Sequence, residues 1–152
     1  MLQGVDAATL TEFLRTPKAV IAQTDKGAVR ITRRDASDLV VLRADDLEHQ
    51  QEGIGLSSRL MRATLVAGGD VRAAVLAAFA WTALLSEGEL TRFAGEMDKH
   101  LWSATELGHY ESLLLTFNRW RETAEAYAAG MPRGPGENLV WLDDAPDVPR
   151  PE

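Results

Sequence analysis

The sequence predicts an α+β protein: a small N-terminal unit made of a β-hairpin and short helices, followed by an α-helical region. Three observations predict it. Val29-Arg30-Ile31-Thr32-Arg33 alternates apolar and polar residues, as a half-buried strand does, and Leu39-Val40-Val41-Leu42 comes after a short polar turn. Between residues 70 and 130, apolar side chains return every three or four positions, the period of a helix face. Ser or Thr with Glu three places later stands ahead of several of these runs, the spacing at which two side chains satisfy two orphan backbone N–H groups at a helix start.

The first helix is expected to start at Thr9, capped with Glu12, and to bury Leu10, Phe13 and Leu14. Thr16-Pro17 breaks it and restarts it, since proline suits a first helical position, and Ala19, Val20 and Ala22 continue the apolar face. Asp25-Lys26-Gly27 is a turn into the first strand, and Asp35 to Asp38 is the hairpin turn. The unbroken apolarity of residues 39–42 predicts a return strand buried on both faces. A two-stranded hairpin is marginal in water, so a second copy of the chain is expected to cover it.

Asp45 with Glu48 predicts the next helix start, with Gly53 to Gly55 as a connection and Leu56, Leu60, Met61 and Leu65 resuming helical spacing. Gly68-Gly69 is the clearest break, and Asp70 caps the helix beyond it. Val71–Leu85 is apolar nearly all round and reads as one helix central to a core. Ser86 with Glu89 opens a helix burying Leu90, Phe93, Met97 and Leu101. Ser103 with Glu106 opens the longest, running through Leu107, Tyr110, Leu114, Phe117, Trp120 or Arg121, Ala124 and Tyr127 to Gly130. Trp81, Trp102, Trp120, Phe79, Phe93 and Phe117 are expected in the core. Residues 132–152 hold five of the six prolines and are expected to be extended.

Composition excludes several classes. The 152 residues contain no cysteine, so there is no disulfide framework and no thiolate metal site; a reducing, cytoplasmic setting fits. The start carries no charged segment ahead of an apolar run, so no signal peptide is expected, and the 15-residue run at 71–85 falls short of the ~20 a membrane helix needs. Net charge is −7, unevenly spread: residues 1–47 hold 7 Lys/Arg and 7 Asp/Glu, and residues 48–152 hold 9 and 16. The front can therefore approach a polyanion while the back suits a basic protein. Glu96 and His100 lie four apart on one helix face, but no second ligand pair stands at a diagnostic spacing, so no metal site is expected. Serine elbows, phosphate-cradling loops and dinucleotide glycine patterns are absent. No catalytic residue or cofactor is predicted.

TEFLRTP, VRITRRDASDLVVL and RADDLE, in this order and spacing, resemble the prevent-host-death (Phd/YefM-type) antitoxin family over about residues 8–50. LSEGELTRFAGEM, LLTFNRWRETAEAYA and the closing DVPRP resemble, more loosely, the helical extension of some actinobacterial members. The resemblance implies a dimerisation and DNA-binding domain at 1–52, a connecting helix or hinge at 53–69, a helical domain at 70–130 and a Pro-rich tail at 131–152. It implies an antitoxin of a type II module that autorepresses its operon as a homodimer on operator DNA. It also implies direct neutralisation of a cognate toxin of the RelE/ParE or Doc type. Where the family has glycine in the hairpin turn, this chain has Asp35-Ala36-Ser37-Asp38.

Phosphate contacts are made by Lys and Arg, which selects Arg15, Lys18, Arg30, Arg33 and Arg34, with Thr11 and Thr16 as hydroxyl contacts. By the resemblance, Arg15 occupies the place of the family's DNA-contacting arginine. Trp141, Leu142, Asp143 and Asp144 form an apolar-acidic segment suited to a sheet edge of a basic toxin; folding of Trp141 back onto the chain's own helices is the alternative. A dimeric scaffold that has lost DNA binding is the second functional reading.

Overall fold

A computed structural model describes residues 6–133. In order along the chain come β1 (Asp6–Thr9), α1 (Leu10–Arg15), α2 (Pro17–Ala22), a 3-10 turn (Gln23–Lys26), β2 (Val29–Thr32) and β3 (Leu39–Val41). After them come α3 (Ala44–Val66), α4 (Val71–Ala78), a second 3-10 turn (Ala80–Leu84), α5 (Glu87–Leu107) and α6 (Glu111–Ala128). The protein is α+β and mostly helical. No helix among the described residues is long and apolar enough to cross a membrane.

The sheet has the order β1-β2-β3, with β1 parallel and β3 antiparallel to β2. β1 was not expected. Asp-Ala-Ala-Thr carries no strand pattern of its own, and it is extended because the helices α1 and α2 return the chain alongside it as β2. The Thr32 hydroxyl donates to the Ala8 carbonyl at 3.3 Å and ties the pair together. Ala8, Val20, Val29 and Ile31 form a small core, with Leu10, Phe13 and Val41 packed against it. Leu14, expected inside, is 71% exposed, because a six-residue helix offers the sheet little more than one turn of its face.

Fifteen buried side chains form a second, larger core, drawn from the C-terminal half of α3, from α4, α5 and α6, and from Phe79 and Leu85 on either side of the second 3-10 turn. Leu56, Leu60, Val75, Leu90, Phe93, Met97, Leu101, Leu113 and Trp120 belong to it. Phe79, Trp81, Phe93, Phe117 and Trp120 join in tilted and edge-to-face pairs, with Phe79 and Phe117 centroids 4.9 Å apart.

Several expectations change here. α3 begins at Ala44 with Arg43 as its cap, and no side chain closes it: Asp45 and Asp46 sit inside the first turn, where they favour the helix dipole. The helix runs through Gly53 and Gly55 without a hinge, since its backbone is already hydrogen-bonded and α6 packs against it. Met61 and Leu65 face outward. Residues 71–85 are two pieces: α4 stops at Phe79, whose extended backbone turns its ring into the core ahead of the 3-10 turn. Ser103 caps nothing. α5 continues past it to Gly108, where a φ of 68° stops the helix in the left-handed region, and α6 starts from Tyr110. α3 is accordingly the longest helix described. Trp102 is 66% exposed, on the outer side of α5. The caps at Thr9–Glu12, Asp70 and Ser86–Glu89 form as the spacing predicts.

Candidate nucleic-acid interface

Thr9 and Glu12 close α1 at its start. The Glu12 carboxylate accepts from the Thr9 backbone N–H at 2.7 Å and from its hydroxyl at 2.8 Å, and the Glu12 N–H donates back to the Thr9 hydroxyl at 3.2 Å. These bonds, the backbone one first, hold the Glu12 carboxyl below the usual carboxylate range. The start of α1 therefore already carries its own anion, and a phosphate gains little there. Thr11, exposed in this first turn, sits beside that charge. The junction of α1 and α2 is different. Arg15 lies in the last turn of α1 and Lys18 in the first turn of α2, both exposed and, among the described residues, without an ion-pair partner. Between them the Thr16 hydroxyl donates to the Glu12 carbonyl at 3.1 Å, which leaves its oxygen as an acceptor only.

The arginines of the hairpin divide into two kinds. Val29 and Ile31 point into the small core, so Arg30 lies on the outer face, in register with Ala7 on β1 and Val40 on β3. Its Nε is 3.9 Å from Asp38 Oδ2. Arg33 builds the turn: its Nε donates to the Ser37 carbonyl at 2.6 Å and its backbone N–H to Asp38 Oδ1 at 3.3 Å. With that clip, residues 34–38 turn without any positive φ, which explains why no glycine is required. Arg34, one place on, is exposed and, among the described residues, unpaired. The sequence candidates thus fall into an exposed set without partners among the described residues (Arg15, Lys18, Arg34, with Thr11) and a set with partners inside the chain (Arg30 by an ion pair, Arg33 and Thr16 by hydrogen bonds).

β3 differs most from expectation. Instead of being buried on both faces it is an edge strand with Leu39 46% and Val40 43% exposed. Leu39 pairs with buried Ile31 and so faces the core side, while Val40 pairs with Arg30 and faces outward. Apolar side chains on both faces of an open edge are an association surface that soluble proteins usually cover. Arg43, which sequence reasoning passed over, comes two residues after the strand; it is half exposed and 3.5 Å from Asp45. Its signal was only a cation after a strand, which is common on any surface.

Trp141, Leu142, Asp143 and Asp144 lie outside the described residues. Among those described, no group of three or more His, Cys, Asp or Glu side chains is placed to hold a metal ion. Glu96 serves the fold: its Oε2 accepts from Arg119 Nη2 and from Trp120 Nε1, each at 2.8 Å.

No protein-family model, no curated protein and no solved structure matches the chain.

Proposed function

We propose that this protein is an antitoxin of a type II toxin–antitoxin module, which binds operator DNA as a homodimer and neutralises a cognate toxin of the RelE/ParE or Doc type by direct binding. The observation that carries the reading is the open β3 edge, apolar on both faces, in the same small unit as the exposed cations Arg15, Lys18 and Arg34. The pieces that resemble the Phd/YefM family support it: TEFLRTP spans α1 and the start of α2, VRITRRDASDLVVL spans β2, its turn and β3, and RADDLE opens α3. A Phd-like fold for residues 1–52, cytoplasmic residence and toxin contact through Trp141 to Asp144 belong to the same proposal.

Two chains present six cations of the exposed set. If all six meet phosphates, log K falls with log salt at a slope of about −5. A mobility shift with the chain's own promoter tests this: binding that weakens steeply with salt and is lost in Arg15→Ala supports it, and no shift at low salt ends it. Co-expression with the neighbouring gene product tests the toxin half through growth rescue.

The second reading is a dimeric scaffold that does not bind DNA. The contacts of Arg30 and Arg33 with Asp38 and Ser37 favour it, because they give two of the five candidate cations partners inside the chain, Arg33 through a hydrogen bond and Arg30 through a weak surface ion pair. A stable dimer with no mobility shift would select it.

A further inference from the structure

The outer face of α3 carries an apolar line that is exposed in the single chain. Gly53, Leu56 and Leu60 turn inward. On the opposite side Leu47, Ile54 and Met61 recur at intervals of seven, 42%, 46% and 48% exposed, and Leu65 follows four places on at 81%. Gln51 and Ser58, also exposed, stand four places after Leu47 and Ile54. Alternating steps of four and three thus run along about 27 Å of helix. That is the seven-residue seam which one helix presents to another coiled against it.

We infer that this seam joins two copies of the chain through an antiparallel α3–α3 contact. Charge selects both the occupant and its direction. Glu48 and Arg62 flank the seam on one side, one near each end; both are exposed and, among the described residues, neither holds an ion pair. When a second α3 runs antiparallel with its Leu65 opposite Leu47, its Arg62 comes beside Glu48 and its Glu48 beside Arg62. The patch is therefore its own complement, as a two-fold contact requires. Gly55 lies on the same flank midway between the two charges, with nothing within 4 Å of where its Cβ would be, so no side chain stands between the two ion pairs.

The layers of the seam fit the same direction. Leu47 meets Leu65, Gln51 lays its stem on Met61, and Ile54 packs over the small Ser58, each contact made twice. A parallel pair would set Gln51 against Gln51 and Ser58 against Ser58. Its Glu48 would find only Arg43, which already has Asp45 at 3.5 Å. Few side chains take part compared with the roughly 20–30 residues a side of a standard interface, so the contact is weak, with a dissociation constant on the order of 10–100 µM. It uses neither the β3 edge nor the front cations, and it is independent of the proposed repressor. Chains already paired through β3 would be linked by it into larger assemblies at high concentration.

Sedimentation equilibrium of the full chain carrying Leu39→Asp and Val40→Asp tests it, because that background takes the β3 edge out of the measurement. The chain should be mostly monomeric at about 1 µM and mostly dimeric at about 500 µM. Ile54→Asp should abolish the dimer; Ile54 is nearly half exposed in the single chain, so this variant keeps its fold. Glu48→Arg and Arg62→Glu should each weaken it about tenfold. An equal mixture of those two variants should regain it, since every flanking pair is then again of opposite charge. A monomer at both concentrations overturns the inference. So does a dimer that survives Ile54→Asp, one that neither charge variant weakens, or a mixture that associates no more tightly than its components.

Discussion

α3 passes so close to the start of α6 that a Cβ built on Gly53 would lie 2.2 Å from the Cβ of Tyr110. Tyr110 cannot swing its own Cβ away, so the two backbones would have to part. In an open helix, Gly→Ala gains up to about 1 kcal/mol of propensity. Here the overpacking cost of about 1–3 kcal/mol outweighs it. Gly53→Ala is expected to lower the denaturant midpoint. Gly55→Ala, two residues on with nothing within 4 Å, is expected to raise it. Chemical denaturation of both variants checks the sign of each.

The aromatic cluster should dominate the stability of the helical part. Phe93 is fully buried and pairs with Trp81 at 5.1 Å and Trp120 at 6.0 Å. Phe93→Ala should cost about 3–5 kcal/mol, while Trp102→Ala, on an exposed ring, should cost well under about 1 kcal/mol. Equal losses in a urea melt would contradict the placement of Trp102.

Glu89 and Tyr127 couple α5 to the end of α6 through a 2.5 Å bond in which the phenol donates to the carboxylate. Burial pushes the Glu89 carboxyl up, but the Tyr127 bond, the two Ser86 bonds and nearby Arg133 together bring it below the ordinary range. The same bond first, then burial, raises the Tyr127 phenol. A depressed carboxyl stabilises the fold above its unfolded pKa and loses that contribution as pH falls through the folded one. A raised phenol stabilises it below its unfolded pKa and loses that as pH rises through the folded one. The pair therefore acts between the carboxylate range and the phenol range. Tyr127→Phe should melt lower than wild type at neutral pH, with the gap closing in acid and in strong alkali. Thermal melts across pH check this, and a constant gap would refute it.

If the proposed dimer forms through β3, Leu39→Asp with Val40→Asp should convert it to a monomer with little loss of fold, because both side chains are nearly half exposed in the single chain. Light scattering of wild type and variant measures it. A wild type that is monomeric at high concentration removes the basis of the proposed repressor.

Local chemistry was legible in the residues themselves. The caps at Thr9, Asp70 and Ser86, the proline restart at Pro17, the hairpin, the glycine break at 68–69 and the buried stripe Leu90, Phe93, Met97, Leu101 all formed where spacing placed them. Each depends on hydrogen bonds or side chains within a few positions, so sequence by itself determined them. β1, the end of α4 at Phe79, the unbroken path of α3 through Gly53 and the outward face of Trp102 depend on segments far along the chain. A strand of Asp-Ala-Ala-Thr exists only because β2 supplies its partner. Gly53 stays helical under the rim of Tyr110, where its missing side chain makes the room. The cations divided in the same way. Composition could name Arg30 and Arg33, but only the folded turn, which brings Asp38 and Ser37 within bonding distance, separated them from Arg15, Lys18 and Arg34.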